Sequence, residues 1–415
     1  YLNAVPKAAE QIRANLKTPL SLTFVDYGKA AFGGLAEYYQ GDGRRAFAEV
    51  KDETLQAELA AASDAAAKSM TDLAKWVEGQ RRHARHTFQL GAKRFTQMVR
   101  DTEMVDVPLA ELERIGRADL KRNQQALKAA CAAYAPRLSI TKCVERAAAD
   151  KPKGGAVQGA RDQLAGLKKF LVDQDLVSIP GTEEALVEEA PPFARQNFAY
   201  IDIPGPYEAN LPSVYYIAPP DPSWPKKVQN DFVPGEAELL FVSVHEVWPG
   251  HFLNFLHANR STNQFGRIFV GYAYAEGWAH YTEEMMWDAG LNEDDHATHI
   301  GQLSNALRRD CRYLSAILMH TNRLTVDGSR KMFVRDCYQD EGNARQQAAR
   351  GTYDPAYLNY TMGKLLIRRL REDWTATRGG RQAWKEFHDK FLSYGGPPIP
   401  LVRAQMMGGK AESVF

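Results

Sequence analysis

Helical periodicity constrains this chain more than any other feature, because it fills long unbroken runs. The segment DETLQAELAAASDAAAKSMTDLAKWVEGQRR (residues 52–82) is rich in Ala, Leu, Glu and Lys, all strong helix formers. In PLAELERIGRADLKRNQQALKAACAAYA (108–135), Pro108 suits a first helical turn, where a missing N–H costs nothing. A loop, ADKPKGGAVQG (149–159), precedes a further helix that runs to about residue 175. Prolines then cluster up to residue 235, and FAYIDI (198–203) and SVYYIA (213–218) read as strands of a small antiparallel sheet. Helix signals return from residue 236 to the end. The expected fold is mainly α (α+β), with an N-terminal helical region (1–175) and a second region (176–415) that holds the chemistry.

At 415 residues the chain can bury a large core. Its 52 Lys and Arg against 51 Asp and Glu leave no charge excess to attract nucleic acid. No apolar run reaches the ~18 residues of a membrane-spanning helix. The start at Tyr1, without Met or a basic-then-apolar leader, reads as a processed or truncated product. Four cysteines form two sequence-local pairs, Cys131 with Cys143 and Cys311 with Cys337. They suit two disulfides in an oxidising compartment or four thiols in a reducing one, and neither pair has the CxxC spacing of a zinc site.

The chemistry concentrates in FVSVHEVWPGHFLNFLH (241–257) and YAEGWAHYTEE (274–284). Zinc hydrolases combine imidazole ligands, a carboxylate ligand and a free carboxylate that activates the metal-bound water. In an HExxH helix two histidines four residues apart stand roughly 40° apart around the axis, whereas the six-residue spacing of His245 and His251 gives roughly 120°. Pro249 removes the N–H that would reach the His245 carbonyl, and Gly250 permits unusual backbone angles. A short bulge there would absorb two residues and return His251 to the side of His245. The expected Zn2+ ligands are His245, His251 and Glu276, with Glu246 as general base. Glu283 either orients a ligand imidazole or is a surface carboxylate beside Glu284. His280 reads as a solvated or outer-shell residue, and His257 as an ordinary helix residue.

HEVWPGH and EGWAHYTEE resemble the HExxPGH and EGWALYAE signatures of the bacterial domain-of-unknown-function family eight-eight-five. The likeness extends to GPYEANLPSVYYIAPP (205–220), RRDCRYLSAILMHTNRLT (308–325), YDPAYLNYTMGKLLIRRLRE (353–372) and FHDKFLSYGGPPIP (387–400), and is specific from about residue 160 onward. Here His280 replaces the family's Leu, and Ala316 stands where Asp is usual. The family is similar to gluzincin metallopeptidases, so the resemblance implies a helical gluzincin-like fold and a zinc-dependent peptidase acting on peptides. Many members resemble secreted or lipid-anchored proteins, which implies an extracytoplasmic location and favours the disulfides. Tyr360 and His320 match family positions and are the candidate donors to a developing oxyanion; Tyr360 could equally be a core tyrosine. Arg309 and Arg312 could clamp a substrate carboxylate or pair with acidic residues between helices. SVYYIAPP could lend a strand edge to an extended peptide. The rival functions are a non-peptide amide or ester hydrolase on the same zinc site, and a catalytically inactive peptidase-like binding protein.

Overall fold

The computed structural model describes residues 1–195, 197–208, 210–409 and 415, which form two compact units. The first comprises Tyr1–Phe88 and Glu189–Ala199. Its helices are α1 (Val5–Asn15), α2 (Leu22–Gln40), the single turn α3 (Asp42–Arg45) and α4 (Glu53–Gly79). Asp52 caps α4 by accepting from the Leu55 N–H, which starts the helix one residue after the sequence pattern begins. Ala66, Met70, Leu73 and Val77 recur at helical spacing and turn inward, where the first three meet Val5, Ala9, Ala36 and Tyr39.

The second unit comprises Gln89–Glu188 and Tyr200–Phe415. It opens with α5 (Ala92–Glu103), α6 (Leu109–Tyr134), α7 (Ile140–Ala148) and α8 (Ala156–Asp173). These lie in the same compact unit as the helices from residue 236 onward, and the two units part after Phe88. Three short strands follow, β1 (Ala185–Glu189), β2 (Ala199–Asp202) and β3 (Ser213–Ile217), in the order β1-β3-β2. The segment expected to offer a free edge is thus the middle strand, with its backbone paired on both sides; the edges belong to β1 and β2.

The remaining helices are α9 (Lys226–Phe232), α10 (Glu236–Glu246), α11 (His251–Ala258), α12 (Gln264–Ile268), α13 (Tyr272–Asp288), α14 (His296–His320), α15 (Val326–Cys337), α16 (Glu341–Tyr353), α17 (Asn359–Thr375), α18 (Trp384–Leu392) and α19 (Ile399–Met407). The architecture is mainly α with a small β element. From Ile300 to His320 only Arg308 of α14 is not buried, so this helix runs through the core. Helices α13 and α17 touch at two glycines. A Cβ on Gly277 would lie 2.4 Å from Gly363 Cα, and one on Gly363 would lie 2.0 Å from the Ala273 carbonyl oxygen. Nothing larger than glycine fits that crossing. The next residue of α17, buried Lys364, pairs with Asp119 of α6 at 2.6 Å and approaches Glu284 of α13 at 3.4 Å. Two disulfides, Cys131–Cys143 and Cys311–Cys337, tie α6 to α7 and α14 to α15.

Candidate metal centre

Helix α10 ends on His245 and Glu246, and α11 begins on His251. The interruption is a full break rather than a bulge within one helix: Val247–Gly250 form a buried turn with a cis Trp248–Pro249 bond. Gly250 is needed for closeness, since a Cβ there would lie 1.8 Å from the carbonyl oxygen of His245. Its φ of −73° and ψ of −130° lie outside the helical and extended regions, as expected of the break. Trp278 of α13, wholly buried, holds the turn from outside by donating its Nε1–H to the Pro249 carbonyl at 2.8 Å.

The break brings the His245 and His251 rings to a 4.8 Å centroid separation, nearly perpendicular. Glu276, four residues into α13, meets both: its Oε2 lies 3.2 Å from each Nε2. One ligand-type atom from each of the three falls within 4.8 Å of the others. Bonds of about 2.0–2.1 Å in a tetrahedral zinc site put neighbouring ligands roughly 3.3 Å apart, and the two His–Glu separations fit such edges. His251 and Glu276 side chains remain 13% and 19% exposed, so the cluster opens to solvent on one side, while His245 at 5% forms its floor.

Behind His245 stands Glu283, about two turns along the same face of α13 from Glu276. Its Oε1 lies 2.7 Å from His245 Nδ1 and forms an ion pair with Arg309 Nη2 at 3.0 Å, and that guanidinium nitrogen also lies 3.1 Å from His245 Nδ1. With Nδ1 protonated, His245 keeps its Nε2 lone pair on the Glu276 side. Burial works to raise the Glu283 carboxyl, but Arg309 and His245 outweigh it and hold the group ionised. Glu276 behaves alike: burial opposes ionisation, and His251 and His245 keep it well below the usual carboxylate range. Glu246, next to His245 in the chain, is raised by burial. Its carboxylate has no hydrogen-bond partner among the described residues, yet its oxygens are not sealed from water.

No curated protein matches the chain. The sequence profile of a family described as bacterial proteins of unknown function, DUF885, matches residues 1–406. This chain belongs to that family. The match takes in the helices before residue 160 as well as the motif-bearing part. Among solved structures, a candidate lipoprotein of unknown function from Shewanella oneidensis aligns with a TM-score of 0.75 at 21% identity, over 98% of this chain and 77% of the other. A candidate lipoprotein from Colwellia psychrerythraea aligns with a TM-score of 0.78 at 17% identity, over 98% and 74%. At such identities the shared property is the fold.

In the DUF885 chain Tyr360, near the start of α17, stacks on His245 with centroids 6.1 Å apart. Arg350 donates to its hydroxyl at 3.2 Å. His320 is not brought to this cluster. It lies eleven residues beyond Arg309 on α14, or about 16 Å, and both ring nitrogens are committed, Nε2 to the Gly351 carbonyl and Nδ1 to the Leu90 N–H. His280 is wholly buried rather than solvated, with Nδ1 3.5 Å from Glu283 Oε2. His257 bonds the Ser178 carbonyl. Glu283 is no surface group, and its neighbour Glu284 pairs instead with Arg122, Arg368 and Lys364.

Sequence reasoning passed over Tyr272, Arg350 and Tyr215. Tyr272 donates to Asp354 and accepts from Arg350, and it packs edge-on against Tyr360. Its position four residues before Glu276 on one helix face was an available signal. Arg350 lies in α16 and had none. Tyr215 of β3 is wholly buried, and its phenol is raised by burial and by the neighbouring Glu246 charge.

Proposed function

We propose that this chain is a zinc-dependent metallopeptidase. One juxtaposition carries the reading: three ligand-type atoms within 4.8 Å of one another, beside an unpartnered Glu246 carboxylate. A zinc ion held by His245, His251 and Glu276 would supply Lewis acidity to a carbonyl oxygen and to a water. Glu246 takes a proton from the attacking water as its oxygen bonds to the scissile carbonyl carbon. The same carboxyl group returns the proton to the amide nitrogen as the C–N bond breaks, leaving an acid and an amine. Tyr360 donates its hydroxyl proton to the carbonyl oxygen as charge develops there, with Arg350 orienting the hydroxyl from the other side. Glu283 holds the His245 tautomer by accepting from Nδ1, and Arg309 keeps Glu283 ionised. The two disulfides and the lipoprotein description of the similar structures support an extracytoplasmic location.

Zinc content and hydrolysis of a mixed peptide library test the proposal. Glu246→Gln should retain the metal and lose about 100- to 10,000-fold in kcat. Activity surviving that substitution removes the general base. Turnover confined to non-peptide amides or esters would reassign the substrate, and failure to hold metal at saturating zinc would leave a binding protein.

A further inference from the structure

Three guanidinium groups surround the Tyr360 ring: Arg312 at 4.7 Å from its centroid, Arg350 at 5.6 Å and Arg309 at 5.7 Å. Two have a carboxylate of their own. Arg309 pairs with Glu283 at 3.0 Å, and Arg350 with Asp354 at 2.9 Å. Arg312 differs. Its Nε donates to Gln347 Oε1 at 2.6 Å, which fixes the plane of the fork, but it has no ion-pair partner among the described residues. Nη1 and Nη2 have no acceptor either, although neither is closed off from water. The residue as a whole is only 8% exposed. Burying a cation without a counter-charge is costly, and the neighbouring Arg350 and Arg309 add repulsion. A fork held in plane, stripped of most of its water and left open at its two terminal nitrogens matches the geometry of one carboxylate.

The place of this fork relates it to the metal ligands. Two contacts in series, 4.7 Å from Arg312 to the Tyr360 centroid and 6.1 Å from there to the His245 centroid, separate the guanidinium from the ligand set. That span suits a group one or two residues from a peptide bond held at the ligands.

We propose that Arg312 receives a carboxylate of the peptide substrate, so that the cleft selects chains bearing one close to the scissile bond. The carboxylate is either the free C-terminus or an Asp or Glu side chain; the fork reads both alike. This assignment rests on the peptidase reading for its choice of ligand, but its test can be read separately. Three short reduced-amide pseudopeptides, which resist hydrolysis, would be titrated calorimetrically into the zinc-loaded full-length protein. One ends in a free carboxylate, one in a carboxamide, and one in a carboxamide with Glu in place of a neutral residue. A carboxylate-bearing ligand should bind roughly 10- to 100-fold tighter than the neutral one. The preferred ligand identifies the source. In Arg312→Gln the three affinities should converge while zinc content stays unchanged, and Arg312→Lys should recover part of the preference. Equal binding of all three by the native protein, no binding of any, or a preference that persists in Arg312→Gln overturns the proposal. A protein that takes up no zinc but still prefers the carboxylate would sink the peptidase reading and leave the carboxylate receptor standing.

Discussion

His245 is held from both sides, by Glu276 at Nε2 and by Glu283 at Nδ1, and the second contact sets which nitrogen would face the proposed metal. Glu283→Gln would keep an acceptor for the Nδ1–H but remove the charge that compensates Arg309. Zinc affinity should fall about 10- to 100-fold, read by competition with a chelator; unchanged affinity would mean that Glu283 is a packing residue. The types and spacing of His245, His251 and Glu276 were legible in the sequence because each lies in a short motif with a break beside it. Why Gly250 is glycine was not, since the carbonyl it avoids is fixed only when the turn closes. Nor could the sequence divide Arg309 from Arg312. They sit three residues apart on one helix, and only the tertiary partners tell an arginine that has an acid from one that has none.

At the scale of elements, the site depends on how α13 and α17 cross, because one carries Glu276 and the other Tyr360. Gly363→Ala would drive a methyl group into the Ala273 carbonyl and force the helices apart. The expected cost is about 1–3 kcal/mol, seen as a lower Tm together with weakened zinc retention; a variant with native stability and metal content would show that the crossing can yield. Glu103 of α5 joins the starts of the same two helices, accepting from the Ala273 N–H at 3.3 Å and the Asn359 amide at 2.8 Å. Burial pushes its carboxyl up to about 7, despite both hydrogen bonds pulling the other way. An unfolded Glu titrates near about 4.3. Between those values the folded chain holds a proton that the unfolded chain has lost, so this group's contribution is greatest below the unfolded value and declines as pH rises through the folded one. Glu103→Gln stays neutral throughout, so its Tm relative to the native protein should rise between about pH 5 and pH 8; a flat difference would mean Glu103 is ionised in the fold. The helices themselves were readable from periodicity and caps. Strand β1 was not, because only Val187 among its five residues is buried and no alternation marks it.

For the molecule as a whole, each disulfide closes a short loop, 12 residues apart in sequence for Cys131–Cys143 and 26 for Cys311–Cys337. Loops of that size are stabilised by about 3 kcal/mol each through restriction of the unfolded chain. Replacing both cysteines of the second pair by Ser should lower Tm and loosen α15 against α14, with hydrogen exchange rising along Val326–Cys337; undiminished protection there would show that packing alone secures the helix. The division after Phe88 was invisible in the sequence because good helix formers lie on both sides of it, and contact pattern rather than composition separates the units. The indole that grips the Pro249 carbonyl belongs to the same short motif as Glu276. On the proposed zinc reading, that motif delivers one ligand and a latch for the other two at once. Transplanting either signature alone into a helical scaffold would reproduce the letters without the pocket; both strings, moved together at their native crossing, are needed to rebuild it.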